Sequence, residues 1–218
     1  MLKFYFNPVS SYSQKVLIAF YEKNVEFKPE IVDLFDPASM AAFKKVSPMG
    51  KLPFLKVESK DWNIPESSII IEYLDTHYDT GTRLIPSDKD LSRQMRFHDR
   101  CADLYLNNPM AKILLDGFKA PDDRDPKGVA AACATLDSVY PLIDRHFANS
   151  KGPWVMGEQF TMADCATAPA LGYLRQVHSF EKFTNLTAYF NRVNERPSFA
   201  RVQKEAAPIL AKMMAPKG

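Results

Sequence analysis

Three short segments in the first third of the chain carry residue types that could hold a charged ligand. Ser10-Ser11-Tyr12-Ser13-Gln14-Lys15-Val16 begins where an extended run gives way to a helical one. A serine at a helix start is a preferred N-cap, because its hydroxyl accepts from an orphan N–H of the first turn. The same place offers unpaired N–H donors and about half a positive charge, which favours a bound anion or thiolate. Ser10 therefore has two readings, cap or donor to a sulfur anion, and Ser11 is its rival for the second. The four histidines, His77, His98, His146 and His178, are scattered, and none lies near enough in sequence to act as a base for a serine nucleophile. The second segment is Gly50-Lys51-Leu52-Pro53-Phe54-Leu55. Proline is tolerated at the head of a strand, and a cis bond there would turn the Leu52 main chain outward as a pairing edge for an extended ligand. Lys51 beside such an edge reads as a solvated charge. The third is Pro65-Glu66-Ser67-Ser68, a second helix start. Ser67 and adjacent N–H groups could grip a carboxylate while Glu66 accepts from an ammonium group, so the pair suits the end of an α-amino acid.

The elements that would position these residues follow from periodicity. Leu2, Phe4 and Phe6 share one face of an extended segment ending at Asn7-Pro8. Ser10–Asn24 follows a helical period through Val16, Leu17, Phe20 and Tyr21. Phe27–Val32 reads as a second strand, at an edge because of Pro29. A short helix is expected around Ala38–Lys45. Pro53–Val57 and Asp61–Ile64 read as a hairpin, and Ser67–Tyr78 as a helix burying Ile70, Ile71 and Leu74. This order predicts helices on both faces of one small mixed sheet. Past residue 80 the strand pattern stops. Helical periods run through Leu91–Leu115, Lys127–Ala148, Thr161–Val177, Leu186–Glu195 and Phe199–Lys212, which predicts an all-α bundle. The turn-rich stretch around Asp79–Asp88 divides the two, giving domains at 1–80 and 89–218 with a linker at 81–88.

Composition narrows the function classes. The chain has 218 residues, of which 46% are hydrophobic and 25% charged, with a formal net charge of +2. That apolar fraction argues against disorder, and the balanced charge against a nucleic-acid binder. Net charge is −2 over residues 1–80 and +4 over the rest, consistent with two units of different surface. No apolar run approaches the roughly 20 residues that span a bilayer, and the start reads as a strand rather than a secretory signal. Cys101, Cys133 and Cys165 are far apart, with no Cys-x-x-Cys pair for zinc or dithiol chemistry. A cytoplasmic protein without metal, membrane or nucleic-acid partner is the expectation.

Together, strand–serine–helix, Leu-Pro-strand and Glu-Ser-helix followed by a helical bundle resemble the soluble glutathione transferase family over essentially the whole chain. The stretch Gly157-Glu158-Gln159-Phe160-Thr161-Met162-Ala163-Asp164 is similar to the family's Thr-x-x-Asp capping box, in which Thr161 and Asp164 are structural. The resemblance implies a thioredoxin-like first domain with a mixed four-stranded sheet, an all-α helical second domain, and a homodimer. It implies glutathione as co-substrate and a small hydrophobic electrophile as its partner. Ser10 matches the catalytic position of the serine-type classes, and the motif around it is similar to those of zeta- and tau-type enzymes, with Tyr12 where the zeta type has cysteine. The glutathione contacts fall on Lys51, Leu52, Pro53, Glu66 and Ser67.

The electrophile pocket is expected from Asn7, Val9 and Tyr12 together with Tyr105, Leu106, Met110 and Leu114, each of which also reads as ordinary packing. Asp99 has two readings, a contact to the ammonium end of glutathione bound to a partner subunit or, preferred, a solvated helix charge. Glutathione conjugation is the expected activity. The alternatives are a non-catalytic relative acting through its surface, or a glutathione-dependent peroxidase or isomerase.

Overall fold

The computed structural model describes residues 1–214. Its residues fall into two compact units. The first holds Met1–Leu84 and the final helix, and the second holds Ile85–Arg196.

In the first unit, β1 (Leu2–Phe6) alternates buried and half-buried residues along the strand, as its sequence predicts. It leads through Ser10 into α1 (Ser11–Glu22). Then come β2 (Lys28–Ile31), α2 (Pro37–Val46), the hairpin strands β3 (Phe54–Val57) and β4 (Trp62–Pro65), and α3 (Ser67–His77). The sheet order is β2-β1-β3-β4, with β2 parallel to β1 and the other pairs antiparallel. Pro29 does lie on an edge strand, where its missing N–H breaks no ladder. The alternation of β1 sorts its aromatics between two layers. Phe4 meets Phe20 of α1 at 5.0 Å between ring centroids, while Tyr5 meets Phe43 of α2 at 5.8 Å. Ile70, Ile71 and Leu74 of α3 are fully buried. Helices therefore cover both faces, as the element order predicts.

The second unit is helical: α4 (Lys89–Cys101), α5 (Asn108–Gly117), α6 (Pro126–Asn149), α7 (Met162–Val177) and α8 (Thr184–Asn194). The single helix expected over Leu91–Leu115 is divided by a π-helical segment, Ala102–Asn107. Pro109 follows at the start of α5, where its missing N–H is tolerated. Asp99, expected to be solvated, is only 2% exposed, because its face of α4 lies inside the bundle. The capping box is present. The Thr161 N–H donates to Asp164 Oδ2 at 2.9 Å, and the other carboxylate oxygen accepts from Val155 N–H and Tyr189 Oη. Complete burial dominates over these bonds and pushes the Asp164 carboxyl up to about 6.

One boundary differs from the expectation. The last helix, α9 (Pro197–Met214), groups with the first unit rather than with the bundle. Tyr21 Oη of α1 donates to Glu205 Oε2 at 2.6 Å, Arg201 lies over the Tyr21 ring, and Ser198 Oγ donates to Glu22. An amphipathic period states that a helix has a buried face but not which core the face covers. Residues 215–218 of the expected second domain lie outside the described residues. Among the described residues no helix is long and apolar enough to cross a membrane.

Candidate functional site

The three segments singled out by their chemistry meet at one end of the sheet. Tyr5 pairs with Phe54 and Phe54 with Pro65, so the end of β1, the start of β3 and the end of β4 form one row. Ser10 follows the first of these, Leu52-Pro53 precedes the second, and Glu66-Ser67 follows the third. Neighbouring strands are about 4.8 Å apart, so the row spans roughly 10 Å. An extended tripeptide has about that length.

Ser10 is the N-cap of α1, with extended backbone angles, and its Oγ accepts a long bond from Ser13 N–H at 3.4 Å. A hydroxyl has two lone pairs and one proton, so capping leaves the O–H able to donate outward. Ser11 is the first helical residue and is half-buried, as is Tyr12. Ser13 is fully buried, its Oγ accepting from Asn7 N–H at 3.3 Å. The first turn of α1 carries no acidic residue. Its positive end is therefore uncompensated within the turn.

The Leu52–Pro53 bond is cis, and Pro53 is buried while Leu52 is half-buried. The ladder between β1 and β3 runs only to the Tyr5–Phe54 pair, so the Leu52 main chain lies beyond it. Lys51 is exposed, as a solvated charge would be.

Glu66 caps α3 with φ 70 and ψ 122, and no side chain makes a cap bond there. A non-glycine residue at positive φ costs on the order of 1–3 kcal/mol, and such residues concentrate at ligand clamps. Its side chain is exposed, while Ser67 is buried in the first turn of α3. Beneath that turn the Lys15 ammonium, 1% exposed, donates to Ser68 Oγ at 2.9 Å. A buried cation thus lies next to the helix end best suited to an anion. Its one sign in the sequence is a lysine opening the apolar run Val16-Leu17-Ile18-Ala19-Phe20.

The residues expected in an electrophile pocket are distributed differently. Asn7 is held inside the first unit. It is 5% exposed, its Nδ2 donates to Val32 O at 2.8 Å, and its Oδ1 accepts from Val9 N–H at 3.0 Å. Both ends of its amide bond within the unit, so it braces the β1–α1 loop. Val9 and Tyr12 are half-buried beside Ser10. In the second unit Met110 and Leu106 are buried, and Leu114 is half-buried. Tyr105 and Leu106 line a cavity of about 460 Å³ that also takes in Phe97, His98, Cys101 and His146. Burial and the neighbouring His146 ring hold His98 down at about 4, so the imidazole is neutral. Cys101, Cys133 and Cys165 form no disulfide. Among the described residues no group of three or more His, Cys, Asp or Glu side chains could hold a metal ion.

Comparison with known proteins gives the arrangement a family context. Residues 4–82 match the model "Glutathione S-transferase, N-terminal domain", and residues 106–197 match "Glutathione S-transferase, C-terminal domain". Glutathione S-transferase A of Pleuronectes platessa is 29% identical over 189 residues, covering 84% of this chain and 83% of that protein. Glutathione S-transferase hmp2 of Hypomyces subiculosus is 26% identical over 216 residues, covering 94% and 99%. Among solved structures, a glutathione S-transferase from Methylobacillus flagellatus with glutathione bound superposes with a TM-score of 0.82. It is 24% identical, and the match covers 93% of this chain and 98% of that one.

Proposed function

Because the chain belongs to the glutathione S-transferase family, we propose that it conjugates the glutathione thiolate to small hydrophobic electrophiles, with Ser10 holding the sulfur. The observation that supports this reading is the row Tyr5–Phe54–Pro65, which brings the three segments to one sheet end. The γ-glutamyl end, with its ammonium and carboxylate, suits Glu66 and Ser67. The peptide backbone in the middle suits the unladdered main chain of Leu52 ahead of Pro53. The cysteinyl sulfur then falls toward the first turn of α1. Lys51 is within reach of the glycyl carboxylate in this reading, and Val9 and Tyr12 flank the electrophile.

The chemistry asks for one effect. A free thiol ionises near about 8.5, so little of it is thiolate at neutral pH. A hydrogen bond to a charged group contributes roughly 1.5–3 kcal/mol, and about 1.4 kcal/mol lowers a pKa by one unit. One Ser10 hydroxyl with the N–H groups and dipole of α1 can therefore lower the thiol by about one to two units. The thiolate then attacks the electrophilic carbon, the leaving group departs with the bonding pair, and the thiol proton has already gone to solvent. Ser10 donates throughout and is never acylated. A homodimer and a cytoplasmic setting belong to the same reading, the second in keeping with three cysteines that form no disulfide.

The test is calorimetry with glutathione, followed by turnover of an activated aryl halide in the wild type and in Ser67→Ala. The reading expects binding below millimolar ligand, conjugation, and a weaker Kd in the variant, because a carboxylate loses a buried hydroxyl partner. Absence of binding at millimolar glutathione would leave a protein that acts through its surface instead.

A further inference from the structure

Asn7, Ser10 and Ser13 form a closed ring of hydrogen bonds. Asn7 N–H donates to Ser13 Oγ at 3.3 Å, Ser13 N–H donates to Ser10 Oγ at 3.4 Å, and Ser10 N–H donates to Asn7 O at 3.0 Å. Each member thus fixes the next, and the ring sets both the backbone and the hydroxyl of Ser10. The ring is tied to the sheet by the Asn7 side chain. Its Nδ2 donates to Val32 O, just past the end of β2, and its Oδ1 accepts from Val9 N–H within the loop. A parallel anchor, Gln14 Nε2 donating to Pro8 O at 2.8 Å, holds the other side of the same loop. Asn7 and Ser13 are both buried, so water does not readily replace these bonds.

From this geometry we infer that Asn7 is a positioning residue for the reaction. It acts through Ser10 and holds the serine hydroxyl where the glutathione sulfur is stabilised. The inference rests on the proposal that Ser10 is the sulfur donor. Asparagine suits the task because a single planar amide supplies a donor toward β2 and an acceptor toward the loop at once. A side chain with only one of those functions leaves either Val32 O or Val9 N–H without its partner. The loop bearing Ser10 then gains freedom, and the donor loses its fixed aim. Tripeptide binding at Leu52, Glu66 and Ser67 is held by other elements and does not depend on the ring. The expected signature is therefore a change in sulfur ionisation with little change in tripeptide affinity, which a general loss of structure would not give.

The experiment titrates the ultraviolet thiolate band of enzyme-bound glutathione against pH in wild type, Ser10→Ala, Asn7→Ala and Ser13→Ala. The dissociation constant of S-methylglutathione, which has no ionisable sulfur, is measured alongside. Asn7→Ala is expected to move the titration midpoint up by about one pH unit, a tenfold loss of thiolate below the midpoint. Its affinity for S-methylglutathione should change less than about threefold, well under the roughly 1.4 kcal/mol of a tenfold effect. Asn7→Ala keeps the ring, whose Asn7 bonds are main-chain, and removes its tie to Val32 and Val9. Ser13→Ala instead cuts the ring where Asn7 N–H meets Ser13 Oγ, and alanine is the strongest helix former, so this variant probes the same loop even if Asn7→Ala does not fold. It is expected to shift the midpoint in the same direction. An unmoved midpoint in folded Asn7→Ala, or in Ser13→Ala where Asn7→Ala does not fold, beside a raised one in Ser10→Ala, overturns the role of Asn7 and leaves that of Ser10 standing. An unmoved midpoint in Ser10→Ala removes the sulfur donor itself, and the positioning role with it.

Discussion

Individual side chains in this protein show how one polar group serves packing and chemistry together. Ser10 caps a helix through a lone pair, which leaves its O–H able to donate, so the capping and donor readings of its sequence position are compatible. Asn7 lay in plain view as a polar residue at a strand end, but its spacing from Val32 is a product of the sheet, which local periodicity does not encode. Glu66 was legible as half of an acid–hydroxyl pair, whereas its positive φ was not, because no glycine marks the position. Asp164 makes a residue-scale prediction. Its carboxyl titrates near 4 in the unfolded chain and about 6 when folded, so the folded state binds the extra proton between those values. Stability contributed by this group is full below about pH 4 and falls as pH rises toward 6, by on the order of 3 kcal/mol. Urea unfolding of wild type and Asp164→Asn across that range should give a stability difference whose pH slope has this sign. The variant is expected to be less stable at every pH, since an amide can satisfy only part of the carboxylate's donor set. Parallel pH profiles would contradict the raised carboxyl.

At the scale of elements, most boundaries could be read from hydrophobic period and punctuation. The two-residue alternation of Leu2, Phe4 and Phe6, the edge proline Pro29, and the apolar face of Ile70, Ile71 and Leu74 all appear where the sequence places them. The π-helical segment between α4 and α5 was not legible, because an extra residue per turn shifts the apolar period without interrupting it. Joints between elements depend on close approach instead. Gly81 has φ 65, and a Cβ there would sit 2.1 Å from Glu22 O, where the chain after α3 crosses the end of α1. The neighbouring Thr82 N–H donates to that same oxygen at 2.8 Å. Gly81→Ala is accordingly expected to cost more than about 1 kcal/mol, measured by chemical denaturation, because backbone rather than a flexible side chain must move. A variant as stable as wild type would show that the crossing is looser than described.

The whole molecule is organised by where the chain leaves and re-enters its first unit. Departure is at Leu84 and return at Pro197, and the Glu22 carboxylate grips the chain near both points. One oxygen accepts from Thr82 Oγ1 at 2.6 Å and the other from Ser198 Oγ. No amphipathic pattern could reveal that α9 returns to the first core, since the partner of an apolar face is a tertiary fact. Glu22→Ala should destabilise the fold by about 1–3 kcal/mol and speed limited proteolysis within α9. Unaltered cleavage would mean that the apolar face of α9 alone holds it in place.

Where the glutathione sulfur lies decides the role of Ser10, and a crystal structure soaked with glutathione shows it. The tripeptide is expected to lie across the ends of β1, β3 and β4, with its sulfur within hydrogen-bond reach of Ser10 Oγ and its γ-glutamyl group at Glu66 and Ser67. A sulfur turned toward Ser11 or Tyr12, or away from the first turn of α1 altogether, would contradict it.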